Sequence, residues 1–599
     1  MPPGTGTDAV VLIIFALCVF TLAYRYYGLF IAKKVLQLDS QRKVPSQEFA
    51  DGVDYVKTDR SVVFGHHFAA IAAAGPLLGP VLAAQFGFLP GTLWIVIGAV
   101  LAGGVHDMVV LFASVRHKAE SLAKIAQEEV GDWAGVVASI AFLFILVLTL
   151  AGLSIAVVNA LFASAWGAMV VGSTIIIAFI MGFIMKSKFR GNIFWASLIG
   201  VILLAAAIYA GSLIQKDSWV YHLFNLSKQQ LSISILIYAF LASVLPVWVL
   251  LAPRDYLSTY LKIITIIGLA MAICLLRPVL LMPAITPYVS GQGPVIQGSL
   301  FPFLFITIAC GAISGYHSTI ASGTTPKMIA SERDIPFVGY VAMLLEGFVA
   351  IIALISACVL VPSDYFAINS APDIFAKLGL HPQNLPWIAQ EVHEHLEGRT
   401  GGAVSLAVGM AYIFSSMPLM KKLMAYWYHF AIMFEAVFIL SAVDAGTRVG
   451  RFLLQEMVGN FIPKFKKVNW LPGGLLCSVI FTLSWGYLLC TGSIATIWPL
   501  FGMSNQLLAG SALLIVTTML IRLGKIKYVW VTALPGLFMT FITLDAGYLN
   551  IMNNYLPKGL YLLAGLSSTI MALMVILFVI TLRKWYQLFF VTQAGGRFL

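Results

Sequence analysis

Long apolar runs alternate with short polar loops along the whole chain, and most runs are long enough to cross a bilayer. A membrane helix needs about 20 consecutive apolar residues. Runs of that kind cover residues 9–31, 62–85, 90–115, 133–162, 166–185, 192–213, 231–251, 257–281, 300–322, 337–361, 423–445, 471–489, 497–521, 530–548 and 560–582. The pattern predicts an all-α polytopic membrane protein of 15 spans, or 16 if the ambiguous run 402–420 also crosses. The latter reads better as a short outer or re-entrant helix.

Loop charges orient these spans. Lys33, Lys34, Arg42, Lys43, Lys57 and Arg60 fall in one loop, Arg116, Lys118 and Lys124 in the next but one, and Lys186, Lys188 and Arg190 in the next of that parity. Cytoplasmic loops carry such an excess, so the N-terminus is expected outside and the C-terminus, after Arg583 and Lys584, inside. Residues 362–401 form the largest outer loop and are net acidic.

Composition agrees. The 599 residues are 60% hydrophobic and 10% charged, whereas soluble domains carry about 25% charged residues. The net charge of +11 lies in the loops, so it marks topology and not nucleic-acid binding. Cys18, Cys274, Cys310, Cys358, Cys477 and Cys490 lie in apolar runs without a CxxC pair, and neither a metal nor another cofactor is expected. There is no HExxH, nucleophile elbow or P-loop, so an enzyme is not expected. The first apolar run has no basic stretch before it and reads as a retained span.

Chemistry that is costly in lipid concentrates in a few runs. Residues 62–85 carry Gly65, His66, His67 and Ala74 with two breaks, Gly75-Pro76 and Gly79-Pro80. Gly and Pro release backbone groups from the helical ladder, and such groups can bind an ion or a carboxylate. Pro246 breaks residues 231–251, with Trp248 as an aromatic wall and Arg254 and Asp255 at the inner mouth. Residues 309–325 are rich in small and hydroxyl side chains and include Ser314, Tyr316, His317 and Ser318, which suit close helix packing or a cation site. His106 and Asp107 suit a proton relay or a structural pair. Glu346, Glu435 and Asp444 lie in apolar surroundings, Asp444 beside Arg448 as a possible partner. Asn505 and Gln506 read as interhelical hydrogen-bond partners. Paired broken segments at matching positions of two inverted halves point to a transporter site. The ten spans from 62 to 445 divide in that way, with 62–85 and 231–251 as counterparts.

The segments 62–87 (VVFGHHFAAIAAAGPLLGPVLAAQFG), 103–117 (GGVHDMVVLFASVRH), 245–262 (LPVWVLLAPRDYLSTYLK), 313–327 (ISGYHSTIASGTTPK), 426–451 (YWYHFAIMFEAVFILSAVDAGTRVGR) and 497–510 (IWPLFGMSNQLLAG) together resemble the carbon starvation CstA family. The resemblance implies a LeuT-like core of inverted five-plus-five repeats within the amino acid–polyamine–cation superfamily. It also implies a bacterial inner-membrane transporter that imports peptides or pyruvate with protons in carbon starvation. The expected organisation is an extra helix and loop (1–61), a transport core (62–448, repeats 62–214 and 231–448) and accessory helices (449–599). Substrate binding would fall to Gly65, Ala74, Gly75, Pro76, Pro246, Trp248 and Tyr316. Coupling would fall to His66, His67, His106, Asp107, Ser314, His317, Ser318 and Glu435. Arg254, Asp255, Asp444 and Arg448 would form a gate or structural ion pair. Glu346 and Glu435 could take a peptide's amine. Sodium coupling, a cation-coupled amino acid transporter and an ion channel are the alternatives; the oligomeric state is open.

Overall fold

The computed structural model describes residues 6–50, 55–186, 193–215, 217–245, 250–418, 420–466 and 470–591. They are almost wholly helical; among them the only β pairing is an isolated bridge between Asp8 and Val279. Among the described residues, eleven helices are long and apolar enough to cross a bilayer, and the pair Arg60–Ile71 and Gly75–Phe86, bent by 47°, makes a twelfth when taken as one span. The shorter helices Leu198–Ser212 and Lys228–Val244 and the interrupted residues 300–323 lie on three further apolar runs. The ambiguous run forms Ala403–Ser415, a helix of 13 residues, which is shorter than the roughly 20 a crossing needs. Met424–Gly459 runs well past the expected end of its span and carries Arg448 and Arg451 within the helix.

Two interrupted spans lie at the centre. In the first, Arg60–Ile71 ends at Ala72, and Gly75–Ala83 starts with Pro76 in its first turn. Proline is favoured there because its missing N–H would have no helical partner. In the second, Leu300–Thr307 and Gly315–Gly323 are separated by non-helical residues 308–314. Arg60–Ile71 packs on Gly315–Gly323, while Gly75–Ala83 packs on Leu300–Thr307. The two broken spans therefore run antiparallel.

The expected repeat counterpart of the first broken span is residues 231–251. That run forms Lys228–Val244, and Pro246 and Trp248 lie outside the described residues. The break at 308–314 contains no proline and a single glycine, Gly311. A search keyed to proline passes over such a break.

Glycine sets how closely the two broken spans approach. A Cβ on Gly79 would lie 2.5 Å from the Thr307 carbonyl oxygen and 3.3 Å from Ile308 Cα. Both are backbone atoms that cannot swing away. Gly79→Ala is expected to destabilise the protein by about 1–3 kcal/mol, the usual cost of overpacking. Thermal unfolding in detergent would read this as a lower Tm; an unchanged Tm would mean that the contact is loose.

Candidate functional site

Four titratable side chains form a continuous buried chain beside these breaks. His106 and Asp107 sit in Gly104–Arg116, His317 in Gly315–Gly323 and Glu346 in Ala342–Cys358, and all four are fully buried. His106 Nδ1 donates to Asp107 Oδ1 (2.7 Å) and His317 Nδ1 donates to Asp107 Oδ2 (2.8 Å). An ionised carboxylate only accepts, so both Nδ1 atoms carry hydrogen. On its far side, His317 Nε2 lies 3.1 Å from Glu346 Oε2. A proton at that contact can rest on the imidazole or on the carboxylate. His317 itself lies three residues after the 308–314 break, in the first turn of Gly315–Gly323. The sequence singled out each of these residues; the structure adds that Glu346 continues the His317 side of the chain.

The start of Gly315–Gly323 is already occupied. Its first amides lack helical partners, and Asn505 Oδ1 accepts from the Tyr316 backbone N–H at 2.8 Å. The Asn505 amide also donates to Ser314 Oγ (3.1 Å). A Cβ on Gly315 would lie 2.2 Å from the Asn505 carbonyl oxygen, so only glycine permits this approach. Tyr316 donates its hydroxyl to Ala442 O (3.1 Å) and Ser318 donates to Gly315 O (2.6 Å). Gln506 donates to Phe305 O (3.0 Å).

The first break holds a lysine that the sequence reading did not single out. Lys262 Nζ donates to Ala69 O (2.8 Å) and Ala72 O (2.9 Å) and lies 4.1 Å from the centre of the Phe438 ring. The Lys262 side chain is buried. The last carbonyls of a helix are orphaned and carry partial negative charge, so an ammonium there completes the end of Arg60–Ile71. Lys262 also lies within electrostatic reach of Glu346.

The remaining candidates spread around this centre. His67 Nδ1 shares a hydrogen bond with Thr325 Oγ1 (2.8 Å), while His66 is half-buried. Gly65 has open space beside its Cα, Ala74 and Pro76 are buried, and Gly75 packs against the Cys310 side chain. Glu435 is fully buried, and neither of its carboxylate oxygens has a hydrogen-bond partner among the described residues.

Arg254 pairs with Asp444 (2.7 Å), and Tyr238 joins both through its hydroxyl. The Asp255 side chain lies outside what is described. Arg448, expected beside Asp444, donates to Ala242 O (3.0 Å) and to Leu245 O, while Arg451 donates to Ser243 O (2.7 Å). Orphaned carbonyls at the end of Lys228–Val244 attract both guanidinium groups.

Comparison with known proteins follows this geometry. The family model described as carbon starvation protein CstA matches residues 8–546. A peptide transporter CstA of Bacillus subtilis (strain 168) is 46% identical over 586 residues, covering 97% of this chain and 98% of its own. A pyruvate/proton symporter BtsT of Escherichia coli (strain K12) is 44% identical over 582 residues, covering 90% of this chain and 81% of its own. Among solved structures, an Eremococcus coleocola manganese transporter in complex with an aromatic bis-isothiourea substituted compound aligns with a TM-score of 0.47 at 13% identity, over 90% of this chain and 99% of that one.

Proposed function

The chain belongs to the carbon starvation protein CstA family, and from that premise we propose that it is a proton-coupled importer of small carboxylates, pyruvate or short peptides, in a bacterial inner membrane. The observation that carries this reading is the buried chain His106–Asp107–His317–Glu346, one member of which sits on a broken span. Intramembrane titratable groups in contact with one another mark proton paths. A proton taken up at the Glu346–His317 contact changes the charge held beside the break, and a broken span can tilt in response.

Lys262 supports protons over sodium as the coupling ion. The Ala69 and Ala72 carbonyls are backbone oxygens of the kind a sodium ion would take, and they already hold an ammonium. With the basic loops facing the cytoplasm, the N-terminus is outside and the C-terminus inside. Gly75 and Pro76 lie against the second broken span, so a solute carboxylate reaching them requires the two spans to part. Glu435 supplies the carboxylate that a peptide's amine would need.

Uptake of labelled pyruvate and labelled dialanine into proteoliposomes, with and without an inward proton gradient, tests this. Saturable uptake of at least one of them, strengthened by the gradient, is expected. Gradient-independent uptake would remove the proton, and uptake of neither would remove the substrate class.

A further inference from the structure

One cavity, mainly apolar with a few polar side chains in its wall, lies apart from the buried proton chain. It has a volume of about 150 Å³ and is floored by Ile306 and Thr307, just before the second break. A wider recess of about 350 Å³ adjoins it and shares Gln297, Phe303 and Asn554. A water needs roughly 10–15 Å³ of such space, so the inner chamber admits a solute the size of a small organic acid. On the orientation given above, the inner chamber lies at the outer side, where Asn369 and Thr400 of the outer segment 362–401 line it.

The chemistry of the lining favours an anion. Neither chamber is lined by a carboxylate, and the single charged side chain among the lining residues is Lys558. Lys558 Nζ donates to Gln297 Oε1 (2.5 Å). The Asn554 amide donates to Asn550 Oδ1 (2.8 Å) and to Gln297 O (3.4 Å). Trp498 lines the inner chamber, is 4% exposed, and its Nε1–H has no acceptor among the described residues. A buried indole donor without an acceptor is costly unless a ligand or water takes it.

The wall is fastened to the first broken span. Gln85, at the end of that span, accepts from the Val295 (2.8 Å) and Ile296 (3.0 Å) amides and donates to Ile296 O (3.0 Å). Pro294, Val295, Ile296 and Gln297 form one side of the cavity. A tilt of Gly75–Phe86 therefore carries this wall with it.

We propose that this cavity is an outer binding site for the carboxylate of the transported solute, with Lys558 and Trp498 Nε1 as its donors and Asn554 holding the Gln297 wall beside them. The inference rests on the functional reading above and adds where the solute is first held. Loss of the ammonium removes a charge-assisted hydrogen bond, so Lys558→Gln is expected to raise the half-saturating pyruvate concentration by roughly tenfold, with a smaller change in maximal rate. Asn554→Ala is expected to shift it in the same direction and serves if Lys558→Gln does not reconstitute.

A second readout uses the ligand directly. Asn553→Cys, in a background with Cys18, Cys274 and Cys490 replaced by serine, is labelled with an impermeant maleimide. Pyruvate or dialanine is expected to slow that labelling. If the unmodified protein transports either solute, an unchanged half-saturating concentration or unprotected labelling overturns the site. If it transports neither, the functional reading beneath the site fails instead.

Discussion

Glu346→Gln is expected to cut accumulation of solute driven by a proton gradient by about 10- to 100-fold, while gradient-free exchange across the membrane persists. Coupling free energies between two ligands are typically about 1–3 kcal/mol, or roughly 5- to 150-fold. The glutamine amide keeps the size of the side chain and can still meet His317 Nε2, which lies 3.1 Å from Glu346 Oε2. It cannot take a proton. Asp107→Asn should be more severe, because Asp107 accepts from two buried imidazoles at 2.7 and 2.8 Å. Counterflow and gradient-driven uptake measured on the same preparation separate lost coupling from lost binding. Accumulation by Glu346→Gln at the unmodified level would place the proton elsewhere.

The second large effect is on stability. Asp444→Ala leaves the buried Arg254 guanidinium without its carboxylate, which lies 2.7 Å away. Removing one partner of a buried pair costs about 3–5 kcal/mol. A marked fall in Tm in detergent is expected, larger than for Gly79→Ala. Replacing both partners with apolar residues, Arg254→Met with Asp444→Leu, is expected to recover much of the loss, since no charge is then left buried. A double variant as unstable as Asp444→Ala would mean that the pair does more than neutralise itself, for instance by holding Tyr238, whose hydroxyl bonds both partners.

Hydropathy carried the fold's outline, because each span must be apolar over its length whatever its neighbours are. It left the run 402–420 ambiguous, and loop charge favoured the short helix that Ala403–Ser415 forms. His106, Asp107, His317 and Glu346 stood out because ionisable groups are rare in such runs; their joining into one chain depends on three separate helices and has no local trace. The second break was hidden because residues 308–314 unwind without proline, beside Asn505. Lys262 and Gln85 were hidden for a related reason. Each acts on backbone groups exposed by a break or loop far away in sequence, Lys262 on Ala69 and Ala72, Gln85 on Val295 and Ile296. Arg448 was legible as a charge but not as the cap of another helix.

Proton and solute movement recorded together decide most directly whether the buried chain couples the two. Proteoliposomes containing a pH-sensitive dye are given pyruvate outside, at equal pH on both sides. Acidification of the interior in step with pyruvate entry is expected for the unmodified protein, and its absence for Asp107→Asn. Pyruvate entry without acidification, or acidification by Asp107→Asn at the unmodified rate, would show that the chain His106–Asp107–His317–Glu346 does not carry the coupling proton.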